Sequence, residues 1–261
     1  MIVRNEQQLK AVKEAAQVAA TVLDRMVQLV APGMNTYDLD QMGRRFIEEL
    51  GAESACYNYQ VGSRVYPAYT CLSVNDEIVH GIGKMNRVLM EGDNISVDVC
   101  TRYFGYIGDN CRTVAVGNAS PDMEDLLRIT EESMYDGIRK AKAGFRVGRI
   151  SNAVQKKVEG AGYSIVEEFV GHGVGRSLHE EPQIPNFGRP DQYKKLKEGM
   201  VVCIEPMVNM GRRHITMDGD GWTAKTADGS PSAHFEHTVL IGKEGPEIIS
   251  VPEGKEAPVL V

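Results

Sequence analysis

Residues 91–98 read EGDNISVD and residues 198–205 read EGMVVCIE. Both segments begin with a Glu-Gly turn and continue into an apolar run that ends in an acidic residue, so superposing them places Asp98 on Glu205. A carboxylate is costly to bury without a partner, and here it interrupts a run that is otherwise apolar. The two segments therefore indicate a repeated strand that carries a candidate functional carboxylate.

Two further blocks repeat in the same order along the chain. Residues 31–52 resemble residues 142–163, each with a glycine turn, an amphipathic helix and a glycine stop, and VHGIG (79–83) resembles GHGVG (171–175). Three repeated blocks predict a duplicated frame. We predict a single domain over residues 1–261, built from two related halves at about 5–120 and 121–250 that close on a pseudo-twofold cleft.

The periodicity of apolar residues predicts helices over residues 5–31, 36–50, 121–143 and 148–161. It predicts strands over 55–83, a hairpin over 94–117, and strands near 164–170, 200–210 and 233–242. In the hairpin we expect the turn to run from Tyr103 to Gly108. The return strand then brings Asp109 back near Asp98.

Composition and charge limit the function. The 261 residues are 42% hydrophobic and 25% charged, as in an ordinary globular chain, and the net charge of −7 offers no basic surplus for nucleic acid. Part of the acidity belongs to four candidate ligand carboxylates, whose charge two divalent cations would cancel. The five cysteines are an odd number without CxxC spacing, which favours a reducing compartment.

The N-terminal segment is interrupted by charged residues and predicts an amphipathic helix, not a signal peptide. No apolar run approaches the roughly 18 residues that a membrane span needs. We therefore expect a cytoplasmic protein that does not contact a membrane.

Five residues form the candidate metal site: Asp98, Asp109, His172, Glu205 and Glu236. Four carboxylates and one imidazole are hard ligands that suit a pair of divalent cations better than a single zinc ion. Glu205 and Glu236 both interrupt apolar strands, which favours a functional role. Alternatively, Asp98 faces solvent on an alternating strand, and Asp109 is a turn aspartate.

The histidines differ in their surroundings. His172 lies between two glycines, which permit a close backbone approach. Taken alone, His179 and His80 are better explained as surface histidines. His214, His234 and His237 have no comparable setting, and we assign them to the structure rather than to the site.

Several motifs closely resemble the type I methionine aminopeptidases over nearly the whole chain. They are SVNDEIVHGI, VDV followed by GD, GHGVG followed by LHEEP, IEPMVNMG, and DGWTAKTADGSPSAHFEHTVLI. The resemblance implies an α+β, pita-bread fold: pseudo-twofold related halves with a central antiparallel sheet covered by helices. The duplicated frame agrees with this fold.

The resemblance also implies a metal centre. Asp98 would chelate one ion, His172 and Glu205 would hold the other, and Asp109 and Glu236 would bridge two divalent ions of cobalt, manganese, iron or zinc. A structural monovalent cation would lie at the backbone oxygens of two further residues, Asn75 and Ser232.

Catalytic and substrate-binding roles follow from the same resemblance. Glu205 would shuttle a proton, His179 would stabilise the charge on the scissile group, and His80 would contact the substrate near the amide nitrogen. The methionine pocket would be formed by Tyr66, Cys71, Trp222 and Leu178. The chain departs from the family pattern at Leu178, usually aromatic, and at Gln60 and Ser63, which affects the shape of the pocket.

The implied function is removal of the initiator methionine from nascent polypeptides whose second residue is small. The implied partners are polypeptide N-termini and the ribosome, without nucleic-acid specificity, and the enzyme is expected to be a monomer. Three alternatives stay open: an Xaa-Pro aminopeptidase, a single-metal hydrolase, and a non-catalytic pita-bread module that binds peptides, RNA or proteins. The Xaa-Pro enzymes share the fold and all five ligands.

Overall fold

Four helices lie in the part of the chain that the computed structural model describes, residues 1–258 and 260: α1 (Glu6–Val27), α2 (Thr36–Glu49), α3 (Pro121–Ile138) and α4 (Gly148–Gly160). Side chains of Asn5, Asn35 and Ser120 cap the first three by accepting hydrogen bonds from the first turn. Helix α1 ends before residue 31 because Pro32 disfavours helical backbone at the residue before it. None of these four helices is long and apolar enough to cross a membrane.

The strands are mostly short, apart from one long hairpin. They are β1 (Glu53–Ser54), β2 (Gln60–Val61), β3 (Arg64–Val65), β4 (Cys71–Val74), β5 (Glu77–Val79), β6 (Asn94–Tyr103), β7 (Tyr106–Ala115), β8 (Ser164–Ile165), β9 (Gly171–Gly173), β10 (Glu180–Ile184), β11 (Val201–Ile204), β12 (Met207–Asn209), β13 (Ile215–Met217), β14 (Ala224–Thr226), β15 (Ser232–His234), β16 (His237–Ile241) and β17 (Pro246–Ile248).

The β6–β7 hairpin differs from its predicted form. Tyr103 pairs with Tyr106, so the loop is only Phe104-Gly105, both with positive φ, as a tight two-residue turn requires. The predicted turn from Tyr103 to Gly108 was therefore too wide. In the observed register Asp98 lies opposite Cys111 and Asp109 lies opposite Cys100. The two aspartates are diagonal neighbours on one face of the hairpin.

Two antiparallel sheets meet at the centre of the molecule. One contains β1, β4, β6 and β7, and the other has the order β10-β9-β11-β16-β17. A bridge between Cys111 and Glu236 joins β7 to the segment entering β16: the amide of Glu236 donates to the carbonyl of Cys111 over 2.9 Å. The bridge joins the two sheets into one nearly continuous sheet that runs from β4 through β6, β7, β16, β11 and β9 to β10.

Helices cover this central sheet on both sides of the bridge. Helix α1 lies across β6 and β7, where Gly108 lets the backbones touch, because a Cβ there would overlap the Ala15 carbonyl. Helices α3 and α4 pack on each other and enclose a second core with Ile204, Val208 and Val239. The carboxylate-bearing strand ends therefore lie beneath well-packed helices, which hold them in position.

Candidate metal centre and substrate pocket

The five candidate ligands lie in two neighbouring cross-strand rows of the central sheet. The first row runs Cys71–Asp98–Cys111–Glu236. It continues to Glu205, because Glu205 directly follows Ile204 and Glu236 directly precedes His237, the antiparallel partner of Ile204. The second row contains Cys100 opposite Asp109, then Thr238 opposite Cys203. The hydroxyl of Thr238 donates to the carbonyl of Asp109 over 2.6 Å, which joins the two parts of this row.

His172 extends the second row, since its neighbour Gly173 pairs with Val202. Residues two apart on a strand project from the same face, so all five ligands project toward one point. The structure thus brings together every residue that the sequence analysis assigned to the metal site.

Ligand atoms in this cluster form overlapping groups. The potential ligand atoms of Asp98, Cys100 and Asp109 lie within 4.8 Å of one another, as do those of Glu205, His234 and Glu236. A third group consists of Asp109, His172, Cys203 and Glu236. Asp109 and Glu236 each belong to two groups, which is the position expected of carboxylates shared by two ions.

His172 faces its carboxylate neighbours with a lone pair. Its Nδ1 lies 3.0 Å from the Gly173 carbonyl and donates to it, so Nε2 carries no proton. That Nε2 lies 3.3 Å from Glu205 Oε1 and 3.7 Å from Asp109 Oδ2. Burial, together with nearby His179, lowers the pKa of His172 to about 3, so the ring stays neutral. Ionised carboxylates at these distances would repel this lone pair unless a cation lay between them.

Burial favours the uncharged form of the carboxyl groups too. Burial raises the pKa of Glu205 to about 8, and it raises the pKa values of Asp98, Asp109 and Glu236 well above their usual range. Within residues 1–258 and 260, no hydrogen-bond partner reaches the buried Oε1 atoms of Glu205 and Glu236. Buried acceptors of this kind are costly, and divalent cations would satisfy them. The residues present therefore fit a metal centre.

A cavity of about 220 Å³ opens beside the carboxylates. Its wall contains Tyr66, Cys71, Leu178 and Trp222, the four residues expected to form the pocket. The Tyr66 and Trp222 rings meet edge to face with centroids 5.3 Å apart, and the Tyr66 hydroxyl donates to the Gly81 carbonyl over 2.8 Å. The result is a rigid, mostly apolar pocket.

Two further histidines border this cavity. The hydroxyl of Tyr59 lies 2.7 Å from His179 Nδ1, and the His179 ring stacks edge-on against His172 at 4.5 Å. His80 has φ of 60°, an unusual backbone conformation for a non-glycine residue, and it packs against Phe169 at 5.4 Å. Burial lowers the pKa values of both histidines, in His80 to about 4, so both are neutral near pH 7.

Sequence reasoning missed several residues of the site. We assigned His234 to the structure, but it lines the cavity and its Nε2 lies 3.4 Å from Glu205 Oε2. Alternation in HFEHT could have found it, because His234 and Glu236 are two residues apart. Tyr59, Phe169 and Cys100 also border the cavity, and no local pattern marks them.

The residues that depart from the family pattern lie toward the rim. Gln60 belongs to the exposed β2–β3 hairpin, and Ser63 is exposed at its turn. Leu178 is buried beside His179. At the predicted cation loop, the Ser232 amide donates to the Asn75 carbonyl over 2.9 Å, and the Asn94 side chain donates to the Ser232 carbonyl over 2.7 Å. The monovalent cation stays a prediction.

A helix-covered sheet with this ligand set defines a metallopeptidase site, and the chain belongs to metallopeptidase family M24, whose sequence profile matches residues 10–243. Members of this family use divalent metal ions, in agreement with the ligand cluster. The family and the fold expected from the sequence are both confirmed.

Several relatives that match over nearly the full length of both proteins are methionine aminopeptidases. "Methionine aminopeptidase 1" of Bacillus subtilis is 44% identical over 250 residues, which cover 96% of this chain and 99% of that protein. The methionine aminopeptidase of Thermotoga maritima superposes with a TM-score of 0.91 at 38% identity, covering 96% of this chain and all of that one. A prolidase of Pyrococcus furiosus shares the fold with a TM-score of 0.76, but at 20% identity and over 66% of its own length.

Proposed function

We propose that this protein is a methionine aminopeptidase that removes the N-terminal methionine from nascent polypeptides whose second residue is small. The observation that carries the proposal is the junction of two features: a buried cluster of four carboxylates and a histidine, and an apolar pocket that opens directly onto it. Full-length similarity to methionine aminopeptidases at about 40% identity supports the reaction, and the Xaa-Pro and non-catalytic alternatives are not favoured.

Five residues would hold two divalent ions in our proposal: Asp98 on one, His172 and Glu205 on the other, with Asp109 and Glu236 shared. The overlapping ligand groups support the shared role of Asp109 and Glu236. The distance of 3.3 Å between His172 Nε2 and Glu205 Oε1 supports placing these two residues on one ion. Cobalt, manganese, iron and zinc all suit these ligands. When bound, such ions lower the pKa of a water molecule and polarise an amide carbonyl.

Glu205 is the proton carrier in this scheme. Its Oε1 atom is buried and free of hydrogen bonds within the described residues, and it lies beside the cavity. A carboxylate there can accept a proton from the attacking water and return it to the leaving amine.

His179 and His80 would act on the scissile amide. If Tyr59 donates to Nδ1 of His179, the neutral ring carries its proton on Nε2 and can donate it to charge that develops on the amide. His80 lies on the opposite wall, held by Phe169, and would contact the substrate near the amide nitrogen. Both roles need neutral imidazoles, which burial provides.

The pocket would select the first residue. Tyr66, Cys71, Trp222 and Leu178 offer an apolar surface with a sulfur atom, which suits the polarizable thioether of methionine. A closed pocket accepts only the first side chain of a peptide, while the second must fit beside the carboxylates. We extend the proposal to a monomer that acts in the cytoplasm near the ribosome and has no nucleic-acid specificity, consistent with the net charge of −7.

The test compares two free-amine peptides, Met-Ala-Ser and Ala-Pro-Ala, with stripped protein reconstituted with each of the four metals. We expect metal-dependent release of methionine from the first peptide alone. Cleavage of the second would indicate an Xaa-Pro peptidase, and cleavage of neither would leave a binding module.

Metal content tests the ligand assignment separately. We expect Asp98→Asn to lose one equivalent of bound metal and most of its activity. The matched control Asp191→Asn, at an exposed position, should keep both. An Asp98→Asn variant that binds two equivalents would contradict the assignment of Asp98.

A further inference from the structure

A short hairpin stands at the mouth of the apolar pocket. Its strands β2 and β3 pair with each other, Val61 opposite Arg64, and form a two-stranded sheet of their own. Where the hairpin begins and ends, the Tyr66 amide donates to the Tyr59 carbonyl over 2.8 Å, and both tyrosines line the cavity. The hairpin and the pocket wall are therefore one continuous segment of chain.

Arg64 reaches from this hairpin to the loop that carries Trp222. Its guanidinium carbon lies over the Trp222 ring, 5.4 Å from the ring centroid, and its Nη1 donates to the Gly221 carbonyl. Gly221 has φ of 75°, and a Cβ there would lie 3.4 Å from Arg64 Cδ, so the aliphatic stem packs against the loop as well. Three contacts of different kinds thus join one exposed side chain to the tryptophan of the pocket.

The backbone of Trp222 is held separately from its ring. Asp220 Oδ1 accepts hydrogen bonds from the amides of Trp222 over 2.9 Å and Thr223 over 2.8 Å, and Asp220 Oδ2 accepts one from the Thr223 hydroxyl over 2.7 Å. None of these bonds involves the indole. The indole ring is instead contacted by Tyr66, edge to face, and by Arg64. Loss of the Arg64 side chain would therefore loosen the ring and leave its backbone in place.

Arg64 is well suited to support an aromatic wall. A planar guanidinium can stack on an indole and donate to a carbonyl at the same time, whereas a lysine ammonium acts as a point charge. Val61, its partner in the hairpin, is among the described residues that line the cavity, but Arg64 is not. An effect of Arg64 on a bound side chain must therefore pass through Trp222.

We propose that Arg64 is a positioning residue that fixes the Trp222 ring as a wall of the methionine pocket, an inference that rests on the function proposed above. A fixed ring is ready to receive the thioether, whereas a loosened ring has to be ordered when methionine binds, which weakens binding. Proton transfer at the scissile amide is unaffected, so the loss appears in KM and not in kcat. Gln60 and Ser63 lie in the same hairpin, so Arg64 supports the wall from the segment in which this chain departs from the family pattern.

Trp222 is the single tryptophan of the chain, so its fluorescence reports this wall without any turnover. In the zinc-reconstituted enzyme, Arg64→Ala should increase the quenching of this fluorescence by acrylamide and shift the emission to longer wavelength. Arg64→Lys keeps the stem and the charge and should fall between that variant and the wild type. The matched control Arg45→Ala, at an exposed position of α2, should change neither signal. Titration with L-methioninamide, followed by the same fluorescence, should give a Kd about threefold higher in Arg64→Ala, the size of an exposed cation–π contact.

Peptide kinetics complete the test. KM for Met-Ala-Ser should rise by the same factor of about three in Arg64→Ala, with kcat and the urea midpoint unchanged. The proposal would be overturned by unchanged quenching in Arg64→Ala, by a loosened ring with an unchanged Kd for L-methioninamide, or by a fall in kcat at constant KM. Absence of cleavage in every form, the wild type included, would count against the proposed function alone, because the quenching and the titration need no turnover.

Discussion

Removing the divalent ions should make the free energy of unfolding fall as the pH rises above about 6.5. The reason lies in Glu205, whose pKa burial raises from 4.5 to about 8. Between these values the unfolded chain has released the proton and the folded chain still holds it. Each pH unit in that range therefore costs the folded state about 1.4 kcal/mol, so the contribution is present below pH 4.5 and lost by about pH 8.

Buried histidines act in the opposite direction at lower pH. Burial lowers the pKa of His172 to about 3 and those of His80, His234 and His237 to about 4, from 6.5. Between the lowered pKa values and pH 6.5 the unfolded chain binds more protons than the folded chain, so these histidines make the free energy of unfolding rise with pH. Above pH 6.5 they no longer change it. From pH 6.5 to 8 these histidines therefore no longer oppose the carboxyl effect, and Glu205 alone accounts for about 2 kcal/mol.

The assay is urea denaturation of chelator-treated protein at several values between pH 6.5 and 8, with linear extrapolation to water. Saturating metal should abolish the fall, because the ions replace the protons. Glu205→Gln should reduce the slope by up to one proton, about 1.4 kcal/mol per pH unit, whereas Glu198→Gln, at an exposed position, should not. A stability that is flat or rises over this range would refute the account of the buried carboxyls.

Four other substitutions test the pocket and the fold. His179→Ala should lower kcat by about 10²-fold or more, as expected for loss of a donor to the developing charge. Tyr59→Phe should lower it by only about fivefold through the lost hydrogen bond at 2.7 Å, and exposed His214→Ala should have no effect in the same peptide assay. Trp222→Ala should raise KM for Met-Ala-Ser by roughly tenfold, because the edge-to-face wall is lost; an unchanged KM would place methionine elsewhere. Gly108→Ala should lower the free energy of unfolding by about 3 kcal/mol through overlap with the Ala15 carbonyl, whereas Gly160→Ala, which meets no atom within 4 Å among the described residues, should stabilise slightly in urea titrations.

The sequence predicted those parts of the site that interrupt a local pattern. Asp98, Glu205 and Glu236 break apolar strands, and the glycines around His172 mark a close approach of backbones. The structure places all of these side chains in one cluster. His234 and Tyr59 escaped because their roles depend on pairing between segments far apart in the chain. Tyr59 meets His179 across 120 positions, and no periodicity reports such a contact.

The hairpin illustrates how local rules can locate an element but miss its register. The alternation in NISVDVCTRY correctly indicated a strand, and the helix limits were misplaced by only a few residues. The turn was predicted too wide because Phe104 adopts a positive φ, which is unusual for a bulky residue. That shift in register decides which residue lies opposite each aspartate. Cys111 lies opposite Asp98 and Cys100 lies opposite Asp109, so the two aspartates do not pair with each other.

The bridge between Cys111 and Glu236 explains why two carboxylates are suited to be shared. It lies where the two sheets meet, so Glu236 is on one side of the junction and Asp109, two residues from Cys111, is on the other. Asp98 lies one strand further into the first sheet, and Glu205 one strand further into the second. The two ligands nearest the junction, Asp109 and Glu236, therefore each belong to two of the three ligand groups, and those further away belong to one. A perturbation that moves one sheet against the other should consequently disturb the shared carboxylates first.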